Sequence, residues 1–202
     1  MNITRRELIA LSALAIAGCG SNETQKETER LKSLLSEAES VDESAYPKVW
    51  LEALAIEIGD GREVLAADSP SWKDINIAAN AIESTISVMV ERPNTSSKAV
   101  PLPKVEDVLL DLERFIGGYY SFEASFSFVE QYEKGKSFDC EVLASVREGT
   151  QSTSVNLEHF PLVLAQKYSR LSDTHLDIVG WLTNAGKKSL MFIVDTCKER
   201  SA

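Results

Sequence analysis

The chain has 202 residues, 44% of them hydrophobic, with 21 basic and 31 acidic side chains and a formal net charge of −10. That length and apolar content suit one folded domain with a proper core. The carboxylate excess gives the electrostatic part of nucleic-acid binding the wrong sign, so nucleic acid is excluded as the expected partner.

The first segment reads as an export signal. Arg5 and Arg6 precede an apolar run from Leu8 to Ala17, and Gly18 and Cys19 follow. The run is about half the roughly 20 residues that a membrane-spanning helix needs, so it is no permanent span. Thr4-Arg5-Arg6-Glu7-Leu8-Ile9 resembles a twin-arginine export signal. Ile16-Ala17-Gly18-Cys19 resembles the lipobox of prokaryotic lipoproteins. The resemblance covers residues 1–20. It implies that residues 1–18 are removed and that the Cys19 thiol carries a lipid, which makes the membrane the expected partner. It also implies a location on the extracytoplasmic face of the cell membrane. A two-chain lipid is enough to hold a protein there without a spanning helix. Removal of residues 1–18 takes away two basic residues and one acidic one, which leaves a net charge of −11. Acidity combined with this signal is similar to surface proteins of salt-loving archaea. Glu outnumbers Asp and Lys outnumbers Arg, however, so a bacterial source stays open.

Residues 19–27 are polar and read as a tether, and residues 28–202 as a single domain. Leu31, Leu34, Leu35, Ala38 and Val41 recur at helical spacing over 27–41. Pro47 opens a second helix, with Trp50, Leu51, Leu54 and Ile58 as its stripe and Gly59-Asp60-Gly61 as an interruption or weak spot. A third helix runs over 71–91 through Ile75, Ala79, Ile82 and Ile86, and residues 92–104 read as a loop. A fourth helix covers about 105–116.

The segment 119–147 supports two readings. Tyr120, Phe122, Ala124, Phe126 and Phe128 alternate with polar residues as a strand would, yet Tyr119, Phe122, Phe126 and Val129 also fit a helix. An isolated hairpin is marginal in water, and no further strand is legible to extend it, so helix is favoured. Residues 158–172 and 173–199 then read as two last helices. The expected fold is all-α, an irregular antiparallel bundle of five or six helices. The alternative is α+β with one hairpin at 119–147.

No residue qualifies as catalytic. His159 lacks a ligand at metal spacing, and Asp173-Thr174-His175-Leu176-Asp177 fits a helix start better than a metal site. Glu-x-x-His pairs, Cys-x-x-Cys-His and Gly-x-Ser-x-Gly are all missing, so neither metal nor cofactor is expected. With Cys19 lipidated, Cys140 and Cys197 form an even remainder, which in an exported protein suggests a disulfide; two separate buried thiols are the alternative. Tyr120 and Phe128 fall off the main stripe of a continuous helix and are candidates for a groove. The expected function is therefore a lipid-anchored, non-catalytic binding or envelope component. An envelope enzyme or electron-transfer accessory, exported folded, is the alternative.

Overall fold

The computed structural model describes residues 20–93, 98–131, 138–148, 151–170, 175–185 and 189–200. Arg5, Arg6 and Cys19 lie outside the described residues. The architecture is α+β: a helical layer followed by a closed five-stranded barrel. The all-α bundle is overturned.

Three helices make the first layer: α1 (Gly20–Glu39), α2 (Lys48–Ala66) and α3 (Trp72–Val88). Residues 20–27, expected as a tether, are the first turns of α1. Pro47 precedes α2 at a position where its missing N–H costs nothing. The α3 start is capped by the Ser71 side chain, which accepts from the Asp74 N–H. Leu31, Leu34, Leu35 and Ala38 of α1 meet Leu54 of α2 and Ile75, Ala78, Ala79 and Ile82 of α3 in one core. Gly61 does not break α2. A methyl group there would sit 3.2 Å from Ile82, 3.3 Å from Leu35 and 3.4 Å from Leu31, so its bare backbone lets three helices meet.

The helix directions follow from polar pairs. Asn76 donates to Glu27, while Arg30 reaches Asn80 and pairs with Glu83. Positions rise together in both helices, so α1 and α3 run parallel. A five-residue connection makes α2 and α3 antiparallel. The amino end of α1 and the α2–α3 turn therefore share one end of the layer. The start of α2 and the end of α3 share the other.

The barrel begins after a two-residue strand, β1 (Val100–Pro101), and two short helices, α4 (Val105–Leu110) and α5 (Leu112–Phe115). The fourth predicted helix is thus split, at Asp111, whose φ of −139° is not helical. Strands β2 (Tyr119–Gln131), β3 (Asp139–Glu148) and β4 (Gln151–Pro161) form an antiparallel meander. Helix α6 (Leu162–Ser169) follows, then β5 (Leu176–Ala185) and β6 (Leu190–Glu199). Neighbours run β2-β3-β4-β6-β5, and β5 pairs back with β2 to close the ring. The β4–β6 contact is parallel, and the other barrel pairs are antiparallel. This order, with a helix between the third and fourth barrel strands, is the connectivity of the Greek-key barrel known as the OB fold.

Two predicted helices become strands here, at 119–147 and 173–199, while the one expected over 158–172 shortens to α6. The hairpin alternative at 119–147 is the arrangement found, and its objection dissolves because β4, β5 and β6 supply the missing strands. Residues 158–161 end β4 before α6 begins, and 173–199 contains β5 and β6. The inward side chains repeat every second residue: Cys140, Val142, Ala144 and Val146 on β3, then Leu190, Phe192 and Val194 on β6. A bulge at Asp195 resets the phase, so Cys197 also points inward. Gly180 faces this bulge, and a Cβ there would lie 2.5 Å from the Ile193 carbonyl oxygen. Among the described residues no helix is long and apolar enough to cross a membrane.

Candidate functional site

Two features of the barrel carry polar chemistry: its outer wall on β2, β3 and β4, and its junction with α2. The wall follows from alternation. Residues between core positions point outward, which places Ser125, Ser145 and Ser154 in one row across three strands in direct register. The hydroxyls of Ser127 and Ser145 are 2.7 Å apart. The adjacent row is Phe128, Leu143, Asn156 and Met191, again in register from β2 to β6. An irregularity between Phe126 and Phe128 separates two aromatic fates. Phe126 packs inward, edge-on against Phe160 and Tyr168, while Phe128 is 60% exposed.

Tyr120 and Phe128 do not form a groove. Tyr120 is 7% exposed and donates its hydroxyl to the Phe115 carbonyl, while Phe128 lies eight residues further along the same strand. A strand rises about 3.3 Å per residue, so some 26 Å separates them. Tyr120 is core, and only Phe128 belongs to the wall.

At the junction, the Asp195 carboxylate is buried, at 1% exposure. It accepts from the Lys48 backbone N–H at 3.1 Å and from the Tyr119 hydroxyl, and Arg92 lies 3.6 Å away. Asp195 thus caps the amino end of α2 from another element, where a negative charge also complements the helix dipole. Tyr119 stacks on Trp181, with 4.6 Å between ring centres, and the Arg92 guanidinium sits over the same indole at 5.5 Å. Burial, with the Asp195 hydrogen bond second, holds the Tyr119 hydroxyl well above the ordinary tyrosine range. This junction holds the barrel to the helical layer.

The histidines have partners that spacing along the chain did not reveal. His159 Nδ1 lies 2.8 Å from the Asp139 carboxylate, and His175 Nδ1 lies 2.8 Å from Glu123, which also pairs with Arg200. His159 takes a positive φ of 47° where β4 is out of step with β3. Among the described residues no group of three or more potential ligands converges on a metal position. Cys140 and Cys197 are free thiols, so the expected disulfide is not formed. They sit on β3 and β6, which β4 separates, and burial pushes each thiol up to about 12. The Cys140 Sγ donates to the Phe160 carbonyl at 3.3 Å.

No family model and no curated protein matches the chain. Among solved structures the chain is similar, at TM-score 0.34 and 11% identity, to a protein assigned as an aspartyl-tRNA synthetase from Leishmania major Friedlin. The match covers 52% of this chain and 21% of that one, and carries no argument about function. The barrel connectivity is read from the strand pairing alone.

Proposed function

We propose that the chain is a lipid-anchored, extracytoplasmic binding module whose ligand is an uncharged, hydroxyl-rich chain of the oligosaccharide class. The observation that supports binding is the wall: serine hydroxyls in register beside an exposed aromatic ring. Hydroxyl and amide groups exchange hydrogen bonds with a sugar, and a ring face packs against its apolar edge. On barrels of this connectivity, the outer face of the second and third strands commonly receives oligonucleotides or oligosaccharides. Here those strands are β3 and β4. That likeness is one of fold, and fold alone assigns no function. The net charge of −10 favours the uncharged ligand over a polyanion.

The wall is tested by amide-shift mapping with maltotetraose. Shifts should concentrate on Ser125, Phe128, Leu143, Ser145, Ser154 and Asn156. Phe128→Ala should weaken binding about tenfold, equivalent to about 1.4 kcal/mol. Shifts mapped to another surface, or none at millimolar sugar, would end the oligosaccharide reading. Anchoring is tested separately by Cys19→Ser, which should move the protein out of the membrane fraction and remove the mass of the lipid.

A further inference from the structure

Trp72 is 46% exposed, while Trp50 and Trp181 are each 1% exposed. It is the first residue of α3, and the register of α3 with α1 fixes its height. Asn76 meets Glu27, and Trp72 precedes Asn76 by four residues as Glu23 precedes Glu27. Trp72 is therefore level with Glu23, four residues past Cys19. Gly20, the first residue of α1, is three residues before Glu23, about 4.5 Å along the axis at 1.5 Å of helical rise per residue. The barrel is at the other end of the layer, where Lys48 begins α2 and bonds to Asp195. The 17 residues of α3 span about 25 Å between the two ends.

We propose that Trp72 seats in the head-group region of the bilayer as a second membrane contact beside the lipid on Cys19. This rests on the anchoring reading. The helical layer is then an oriented spacer, with its Trp72 end on the membrane and the barrel wall held away from it. Indole prefers the interface because its body is apolar and its N–H keeps a wet partner. At this end Glu23, Glu27, Asp68 and Asp74 outnumber Lys26 and Lys73, so the fitting surface is a neutral, zwitterionic one.

The test uses the full, natively lipidated protein in phosphatidylcholine vesicles, with bromine-labelled acyl chains as the quencher. Trp50 and Trp181 are shielded by the fold, so lipid quenching should remove only the share of emission that Trp72→Ala also removes. That share should shift to the blue when vesicles are added, and its quenching by aqueous acrylamide should fall. A protein that floats with the vesicles while Trp72 stays open to acrylamide and untouched by bromine keeps the anchor and overturns this contact. A protein that does not float overturns the anchor, and the contact with it.

Discussion

The helical layer and the barrel bury their apolar residues in different ways. The layer uses nine aliphatic side chains and no aromatic ring, from Leu31 to Ile82. The barrel core includes Tyr120, Phe122, Phe160, Tyr168 and Phe192. Both regions close over long stretches of chain: Arg30 of α1 meets Glu83 of α3 53 residues later, and β2 finds β5 more than fifty residues later. Every backbone bond within a helix is local, whereas each barrel strand must find a partner strand, so the barrel should form more slowly than the layer. Helix α2 belongs to both. Val49, Trp50 and Ala53 pack into the barrel core, and Leu54 packs into the helical one.

Whether that shared helix makes the two regions one cooperative unit can be broken experimentally. Phe192→Ala removes a fully buried ring that packs 4.8 Å from Phe122, and should cost about 4 kcal/mol. Leu31→Ala should cost about 3 kcal/mol in the helical core. In a cooperative protein both variants lower a single urea midpoint, followed alike by far-ultraviolet circular dichroism and by tryptophan emission. Two separated transitions would show that the regions unfold independently. Asp195→Ala should cost about 3 kcal/mol, because Tyr119 and Arg92 lose a buried acceptor and α2 loses its cap. Asp195→Asn keeps an oxygen for the Lys48 N–H and should recover part of that loss. If Asp195→Ala matches the wild-type midpoint, the junction is not a clamp.

The same contrast explains how far the sequence could be read. Leu31, Leu34, Leu35 and Ala38, or Ile75, Ala79 and Ile82, fall on one helical face within a single element, so 3.6-residue periodicity finds the layer. The barrel strands defeat that test. On 176–199, Leu176, Val179, Leu190, Ile193 and Val194 satisfy helical spacing by mixing inward and outward residues. The buried hydrophobic set among the described residues is Leu176, Ile178, Trp181 and Leu182, then Leu190, Phe192, Val194 and Cys197. Alternation is visible at 120–128, but its partner strands are not, and an isolated hairpin is marginal in water. Bulges at Asp195 and at His159 shift the phase of the two strands that join across the parallel contact. The wall serines were legible only as the polar half of an alternating pattern. Their alignment into a row depends on strand register, which no local pattern encodes. The pair His175–Glu123 is a product of closure between β2 and β5, and His159–Asp139 a product of the β3–β4 register.

A smaller, pH-dependent effect distinguishes the barrel interior from the layer, which contains no thiol among its described residues. Cys140 and Cys197 are held neutral up to about 12, against an ordinary thiol value of 9.0. In the unfolded chain both ionise from about pH 9, and the unfolded state then binds fewer protons than the native one. Their contribution is therefore complete below pH 9 and is lost as pH rises from 9 through 12. Urea midpoints measured across that range should fall, and Cys140→Ala should flatten the decline. Iodoacetamide at pH 8 should leave both thiols unlabelled until the barrel unfolds. Prompt labelling of either would mean that the core is open.

The smallest effect separates two glycines two residues apart, on roughly opposite faces of the bridging helix. A methyl group at Gly61 would press on Ile82, Leu35 and Leu31, whereas one at Gly59 would meet nothing within 4 Å. Glycine in a helix interior costs roughly 0.5–1 kcal/mol relative to alanine. Gly59→Ala should therefore raise stability by about that amount, since nothing opposes the gain. Gly61→Val should lower it by about 1–3 kcal/mol, the usual consequence of overfilling a packed contact. Thermal melts of the two variants check the pair together. If Gly59→Ala destabilises the protein, the open side of α2 there is in use by something other than packing. If Gly61→Val is neutral, α1 and α3 sit further from α2 than the present packing requires.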